Sequence, residues 1–388
     1  MSEWKPKGLS RRHFLGLSFG AVVATGVGCS TDDGSKSGQQ GTSGVCSANG
    51  AKLEELAEVV ATDVLIIGGG VGGLTAAVKA KEANPSLDVL IVEKQTSGWA
   101  GKAPKIGGFL AFLAPNADAD KFMDFQVRNC GFYLNDQQML MRYVQSTYQA
   151  IEQFGEWGVT LARNPDGNLF SLPDTWAREY SFSLVDIDMM LPIRTRAREL
   201  GTRILNKIHV VDLLKQGNRV VGAVGFHIVT GQFYIIKAKA TVLANGSCGY
   251  KVRRYWVAGT GDGVAAAFRA GAEMRNAEYG NLYGHLVYQD TEGGFLDYTY
   301  LVNALGENLA QKYVPNLEPA GVFLPLKMAL GMEKEVAEGR GPICFAPPAG
   351  APAMAALPSL PKLSVWTQRV ADKETKYGPL PDANREIA

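Results

Sequence analysis

The first chemical signal in this 388-residue chain comes from four glycines and one acid. Gly68, Gly70 and Gly73 fill a G-x-G-x-x-G pattern with Gly72 inside it, and Glu93 follows about twenty residues later. The first glycine of such a turn permits the sharp bend. The second lets backbone approach a pyrophosphate, and the third lets helix and strand pack closely. N–H groups at the start of the following helix would face the anion. A carboxylate at position 93 can bond both hydroxyls of a ribose and would repel a 2′-phosphate, which argues against NADP.

The elements needed to hold these residues are readable around them. Thr62 to Ile67 is a short apolar run of the buried parallel-strand kind. Leu74, Ala77 and Val78 recur at helical spacing until Asn84-Pro85 ends the helix. Asp88 to Glu93 forms a second strand and closes a βαβ unit. A glycine-rich loop follows, from Lys94 through Ser97, Gly98 and Gly101 to Gly107-Gly108, and such a loop brings backbone N–H groups close to a ligand.

Composition narrows the class. Hydrophobic residues make up 46% and charged residues 20%, which is ordinary for a globular protein with a sizeable core. A net charge of +1 points to neither nucleic acid nor an anionic membrane as partner. The five cysteines are far apart and the four histidines form no ligand pattern. The chain therefore offers no iron–sulfur or structural zinc site, and no resident metal is expected.

The first 29 residues read as an address. Ser10-Arg11-Arg12-His13-Phe14-Leu15 resembles a twin-arginine export signal, and Gly16 to Gly28 is a mild apolar stretch too short to span a bilayer comfortably. That route places the protein in the periplasm or on the outer face of the cytoplasmic membrane. Cys29 follows Val27-Gly28 as in a lipoprotein cleavage site, so it is either lipidated or merely near the cut. Residues 30–51 are rich in Ser, Gly and Thr and read as a flexible tether.

Further along, Asp118 to Asn129, Asn135 to Trp157 and Leu191 to Asn206 read as helices. The second has Leu140, Tyr143, Val144 and Tyr148 on its apolar face. Arg163 to Asp186 reads mostly as loop. Strands are expected at Ile208–Leu214, Arg219–His227, Phe233–Lys237 and Ala240–Gly246. Asp262 lies between Gly261 and Gly263 at the start of a small-residue helix, where it would either cap the helix or bond a ribityl hydroxyl.

In this order the pieces resemble the flavoprotein family of fumarate reductase, succinate dehydrogenase and adenylylsulfate reductase α. The resemblance runs from about residue 60 to 348. It rests on the Val64–Leu74 turn, Val92-Glu93-Lys94, Gly107-Gly108, Ala244-Asn245-Gly246, Gly261-Asp262-Gly263 and Asn303 to Glu307. Tyr133 to Asp136, Phe154 to Gly158 and Glu333 to Pro342 are similar to the adenylylsulfate reductase branch. The resemblance implies an α/β fold: a Rossmann-like FAD-binding domain with a parallel sheet over 52–300, and a partial α+β cap domain with a tail over 301–388. It implies FAD, with Glu93 on the adenosine ribose and the Gly68–Gly73 turn on the diphosphate. Ser97, Gly107 and Gly108 would lie near the flavin, and Gly261, Asp262 and Gly263 along the cofactor. Gly72, Lys94, Val210, Ala244, Asn245 and Gly246 complete the expected cofactor set. An NAD-linked dehydrogenase shares the βαβ signal, but the Gly-Asp-Gly and Ala-Asn-Gly stretches favour FAD.

Three departures from the family pattern bear on the chemistry. Where fumarate-reducing members carry His-Pro-Thr, this chain has Leu282-Tyr283-Gly284-His285-Leu286, so His285 is either a substrate residue or an ordinary histidine. No Arg occurs between Tyr313 and Gly339, the stretch that would supply the proton-delivering arginine. The segment that returns from the cap to cover the flavin is not found before Ala388; either a partner supplies that surface or the protein is truncated in function. Succinate dehydrogenases link FAD covalently through a His in the loop after the Glu-Lys pair; no His lies between Glu93 and His209 here, so the resemblance implies non-covalent FAD. The reading is an FAD-dependent oxidoreductase acting on a small anionic substrate and working with a separate iron–sulfur or cytochrome subunit. Arg253, Arg254 and His285 are its candidate anion-gripping residues, and the arginine pair is equally readable as a solvated basic patch. A flavin-binding electron-transfer or assembly subunit without its own catalysis is the alternative.

Overall fold

The structure is a computed structural model that describes residues 56–105, 109–173, 180–248, 259–275, 277, 301–314, 324–346 and, as backbone, 385–387. The signal, tether and most of the tail lie outside the described residues. Two compact units are formed. Among the described residues, the first draws on 56–101, 194–248 and 259–273, and the second on 102–105, 109–173, 180–193, 274–275, 277, 301–314, 324–346 and 385–387. The sequence leaves the first unit after Gly101 and re-enters it at Arg194, which local periodicity does not report.

The first unit is built on a six-stranded sheet. Its strands are β1 (Ala57–Ile67), β2 (Val89–Glu93), β6 (Arg203–Asn206), β7 (Ile208–Gln216), β8 (Arg219–His227) and β9 (Phe233–Leu243), in the order β6-β2-β1-β9-β8-β7. β6, β2, β1 and β9 run parallel, while β9, β8 and β7 form an antiparallel meander. Every residue of β2 is buried, as a parallel strand covered on both faces requires. Leu65, Ile67, Leu90, Val92, Ile208 and Ile236 form the centre of one core cluster, each contributing about 1.5–3 kcal/mol on burial. Helix α1 (Val71–Ala83) buries Leu74, Ala77 and Val78 and ends at Asn84, where the Asn-Pro signal places it.

The sheet differs from the sequence reading in three places. β1 begins at Ala57 rather than Thr62, because its first half pairs with β9. The expected helix from Leu191 to Asn206 stops at Glu199: helix α4 (Met190–Glu199) gives way to Gly201 at φ +86, and Arg203–Asn206 becomes the strand beside β2. Ile204 and Leu205 suit either element by spacing, and pairing with β2 decides between them. The two strands expected from Phe233 to Gly246 are one, β9, kept continuous by ten partners on β1 from Ala57↔Phe233 to Ile67↔Leu243.

In the second unit, β3 (Phe109–Leu113), β4 (Leu172–Pro173) and β5 (Tyr180–Leu184) make an antiparallel sheet in the order β3-β5-β4. The last two fall in the stretch read as loop, where two- and five-residue strands carry too little periodicity to register. Helix α2 (Ala119–Phe125) is capped by Asp118, which accepts from the Asp120 and Lys121 N–H groups, and it runs into a single π turn (Gln126–Cys130). Helix α3 (Gln137–Glu156) buries Val144, Thr147 and Ile151, while Tyr143, expected on that face, is exposed. Gly158 at φ +89 closes α3, and the Val159 N–H donates to the Phe154 carbonyl.

Later in the same unit, β10 (Leu301–Val302), α6 (Leu309–Tyr313), α7 (Leu324–Ala337), β11 (Ile343–Phe345) and β12 (Arg385–Ile387) follow. Leu301, Leu309, Ala310, Val314, Met328 and Ile343 form one core cluster of this part. Beside that core the buried Glu335 carboxylate is a hub. It accepts from Asn303 Nδ2 at 2.7 Å, from Arg340 Nη2 at 3.0 Å and from the Tyr313 hydroxyl, and Lys312 Nζ lies 3.0 Å away. The Arg340 guanidinium, followed by these other hydrogen bonds, holds the carboxyl well below the usual glutamate range against the cost of burial. A depressed folded value means the contribution to stability is complete above the ordinary range and is lost as pH falls through and below it. Wild-type unfolding, followed by circular dichroism in urea, should therefore lose stability as pH drops below about 4. Glu335→Gln should be less stable at pH 7 and flatter across that drop; equal pH dependence in both would remove Glu335 as the cause.

Candidate functional site

The glycine turn is fixed by backbone on two sides. The Gly68 N–H donates to the Val92 carbonyl at 2.9 Å, and the Ala244 N–H donates to the Ile67 carbonyl at 2.8 Å. Gly68 sits at φ +110, and a Cβ there would run into the Ala244 carbonyl, so only glycine fits. A Cβ at Gly73 would strike the Gly68 carbonyl oxygen. Gly70 and Gly72 are the opposite case, because a Cβ at either meets nothing within 4 Å. Gly70 caps α1 without a side-chain hydrogen bond, and no acid occupies the first turn. The start of α1 thus has no capping side chain and open Cβ directions at Gly70 and Gly72, which is what an anion needs.

Glu93 completes the turn. Its Oε2 accepts from the Gly69 N–H at 2.7 Å, and its Oε1 accepts from the Gln95 N–H at 2.7 Å. Each oxygen keeps a further lone pair for a hydroxyl donor. Ser97, expected near the flavin, is fully buried: its hydroxyl donates to the Gly69 carbonyl at 3.2 Å and its N–H to Asn206 Oδ1 at 2.8 Å. It anchors the loop after β2 to the turn. Asn206 is a site residue that the sequence did not reveal, since nothing local marks an asparagine at the end of an unrecognised strand.

A second set of predicted residues gathers beside the turn. Asn245 and Gly246 (φ +74) follow Ala244 off the end of β9, and a Cβ on Gly263 would strike the Asn245 side chain. Val210 lies on β7 with its side chain in the sheet core, next to a register shift between Val210 and Asp212. Helix α5 (Asp262–Arg269) is capped by Gly261 in the left-handed region, so Asp262 is its first residue and not its cap. Asp262 Oδ2 accepts from Lys94 Nζ at 3.2 Å and from the Thr260 hydroxyl, and His209 Nε2 lies 4.0 Å away. Burial pushes Asp262 up, but the Thr260 and Lys94 hydrogen bonds and the nearby positive charge outweigh it and hold the carboxyl below its ordinary value. Burial pushes His209 down more than Asp262 raises it, so the imidazole stays neutral above its lowered value. Thr260 and His209 were not singled out by sequence, and no motif marks either.

Gly107, Gly108, Arg253, Arg254 and His285 lie outside the described residues. Among the described residues, no group of three His, Cys, Asp or Glu side chains could hold a metal ion.

Residues 63–294 match the family described as an FAD binding domain. The chain belongs to that family. The flavoprotein resemblance is borne out by relatives in it. The fumarate reductase flavoprotein subunit of a Serratia species is 29% identical over 231 residues, covering 56% of this chain and 37% of that protein. The 8-methylmenaquinol:fumarate reductase flavoprotein subunit of Wolinella succinogenes is 27% identical over 355 residues, covering 85% and 54%. The chain thus spans 37% to 54% of the length of these relatives. Solved structures share the fold: adenylylsulfate reductase from Archaeoglobus fulgidus (24% identity, TM-score 0.57, 76% of this chain and 50% of that one), and a quinol-fumarate reductase with menaquinol (20%, 0.66, 85% and 61%).

The geometry fits the adenosine diphosphate half of FAD. Two open glycines and an uncapped helix start suit a diphosphate, and the Glu93 lone pairs suit a ribose diol. The open and closed glycines make a sharp distinction. Gly70→Ala should fold normally, with apo melting within about 2 °C of wild type, yet bind FAD at least about tenfold more weakly in a fluorescence titration. Gly73→Ala should lower the melting temperature itself. Undiminished FAD affinity in Gly70→Ala would place the diphosphate elsewhere.

Proposed function

We propose that this chain is an exported FAD-dependent oxidoreductase of the fumarate reductase and adenylylsulfate reductase flavoprotein type, passing electrons between non-covalent FAD and a small anionic substrate. The observation that carries the reading is the Gly68–Gly73 turn closed by Glu93 within a matched FAD-binding domain. Bound FAD would supply the electron-accepting chemistry, with Glu93 orienting the adenosine and the turn holding the diphosphate. The absence of His between Glu93 and His209 supports non-covalent attachment. Arg253, Arg254 and His285 are the residues for gripping an anionic substrate, since guanidinium matches carboxylate and oxyanion geometry.

Dispersed cysteines and relatives named as flavoprotein subunits support a separate iron–sulfur or cytochrome partner. The Ser10–Leu15 stretch supports twin-arginine export to the periplasm or the outer face of the cytoplasmic membrane, with Cys29 either lipidated or merely near the cut. The lack of Arg between Tyr313 and Gly339 favours one competing reading, a flavin-binding electron-transfer or assembly subunit without its own catalysis.

Natively purified protein should show a flavin absorption band that moves to the supernatant on acid precipitation, and reduced protein should be reoxidised by a small anion such as fumarate or adenylylsulfate. Arg253→Met with Arg254→Met should raise the KM for that anion about tenfold or more. A yellow pellet would contradict non-covalent binding, and bound FAD without turnover of any anion would select the subunit reading. Cell fractionation should find the protein outside the cytoplasm, and Arg11→Lys with Arg12→Lys should retain it inside.

A further inference from the structure

Resemblance places Lys94 in the cofactor set without saying what it does there, and its side chain bridges two parts of the nucleotide site. Nζ donates to Thr260 Oγ1 at 2.8 Å and to Asp262 Oδ2 at 3.2 Å, joining the end of β2 to the start of α5 across 168 residues of sequence. All the described hydrogen bonds to the Asp262 carboxylate fall on Oδ2, and Oδ1 receives none among the described residues. His209 closes one side of this cluster at 4.0 Å from Oδ2, with its ring 5.3 Å from that of Phe226.

We propose that Lys94 is a positioning residue for FAD: it clamps Asp262 through Oδ2 and neutralises it, so that Oδ1 is left to accept a hydroxyl of the bound cofactor. The proposal rests on the FAD reading above. The charge balance calls for such a cation. FAD brings a doubly negative diphosphate to a site that already holds the Glu93 and Asp262 carboxylates, and no described cation pairs with Glu93. His209 does not supply the charge, because burial favours its neutral form. Lys94 and Asp262 side chains are 33% and 37% exposed, so salt screens the pair and its effect on an unloaded protein is small. Cofactor in the site would exclude water and strengthen the pair, which places its main effect on FAD affinity.

The test is FAD titration of apo-protein by fluorescence quenching, with apo melting measured alongside, for wild type, Lys94→Met, Lys94→Arg, Asp262→Asn and the Lys94→Met/Asp262→Asn double variant. Lys94→Met should weaken FAD roughly five- to tenfold with apo melting within about 2 °C of wild type. Lys94→Arg should recover most of that loss, and the double variant should bind no worse than Asp262→Asn alone. Wild-type affinity in Lys94→Met, losses that multiply in the double variant, or an apo melting loss that tracks the affinity loss would each overturn the clamp. If wild type itself takes up no FAD, the nucleotide site falls and the clamp with it, a result distinguishable because every variant then behaves alike.

Discussion

A buried carboxylate organises the nucleotide end of this protein. Glu93 is 7% exposed and ends a strand that is buried throughout, and among the described residues no cation pairs with it. Burying a charge is costly unless hydrogen bonds replace water, and here two backbone N–H groups do so, from Gly69 and Gln95. That requirement ties the end of β2 to the glycine turn after β1 and fixes the direction in which the loop beyond Glu93 departs. Ser97 reinforces the tie by donating to the Gly69 carbonyl, and Asn206 holds Ser97 from the far side. The same carboxylate that satisfies the turn is left with the lone pairs a ribose would use.

Around this tie the glycines separate by what surrounds them. Gly68 and Gly73 stand where backbone oxygens leave no room for a side chain, and Gly263 stands where the Asn245 side chain leaves none. Gly70 and Gly72 face empty space. The first group makes the packing of strand, helix and returning strand possible, and the second keeps the helix start clear for a ligand. β9 matters to both, because its long parallel pairing with β1 delivers Ala244 to the back of the turn and Asn245 to the start of α5.

Much of this core was legible because strand, turn, helix, strand and acid follow one another within about thirty residues, the range over which periodicity and turn chemistry are informative. What was not legible depends on partners far away in sequence. Arg203–Asn206 looked helical until its pairing with β2 is known, and β9 looked like two strands until β1 is laid beside it. Lys94 and Asp262 were both singled out, but nothing local says that they meet. Glu335 likewise lay in a stretch picked out by resemblance, while its convergence with Asn303, Tyr313 and Arg340 follows only from the folding of that segment. That residues 102–105, 109–173 and 180–193 belong to the second unit had no signal either, since an insertion leaves local patterns unchanged.

The most direct measurement is a crystal structure of the protein with FAD bound. The diphosphate should lie over Gly70 and Gly72 within hydrogen-bond distance of the first N–H groups of α1, and the adenosine ribose on Glu93, with the Gly69 and Gln95 hydrogen bonds to that carboxylate retained. Density for FAD away from this turn, or a Glu93 swung out of it to reach the ribose, would contradict the claim that one buried carboxylate both builds the site and reads the cofactor.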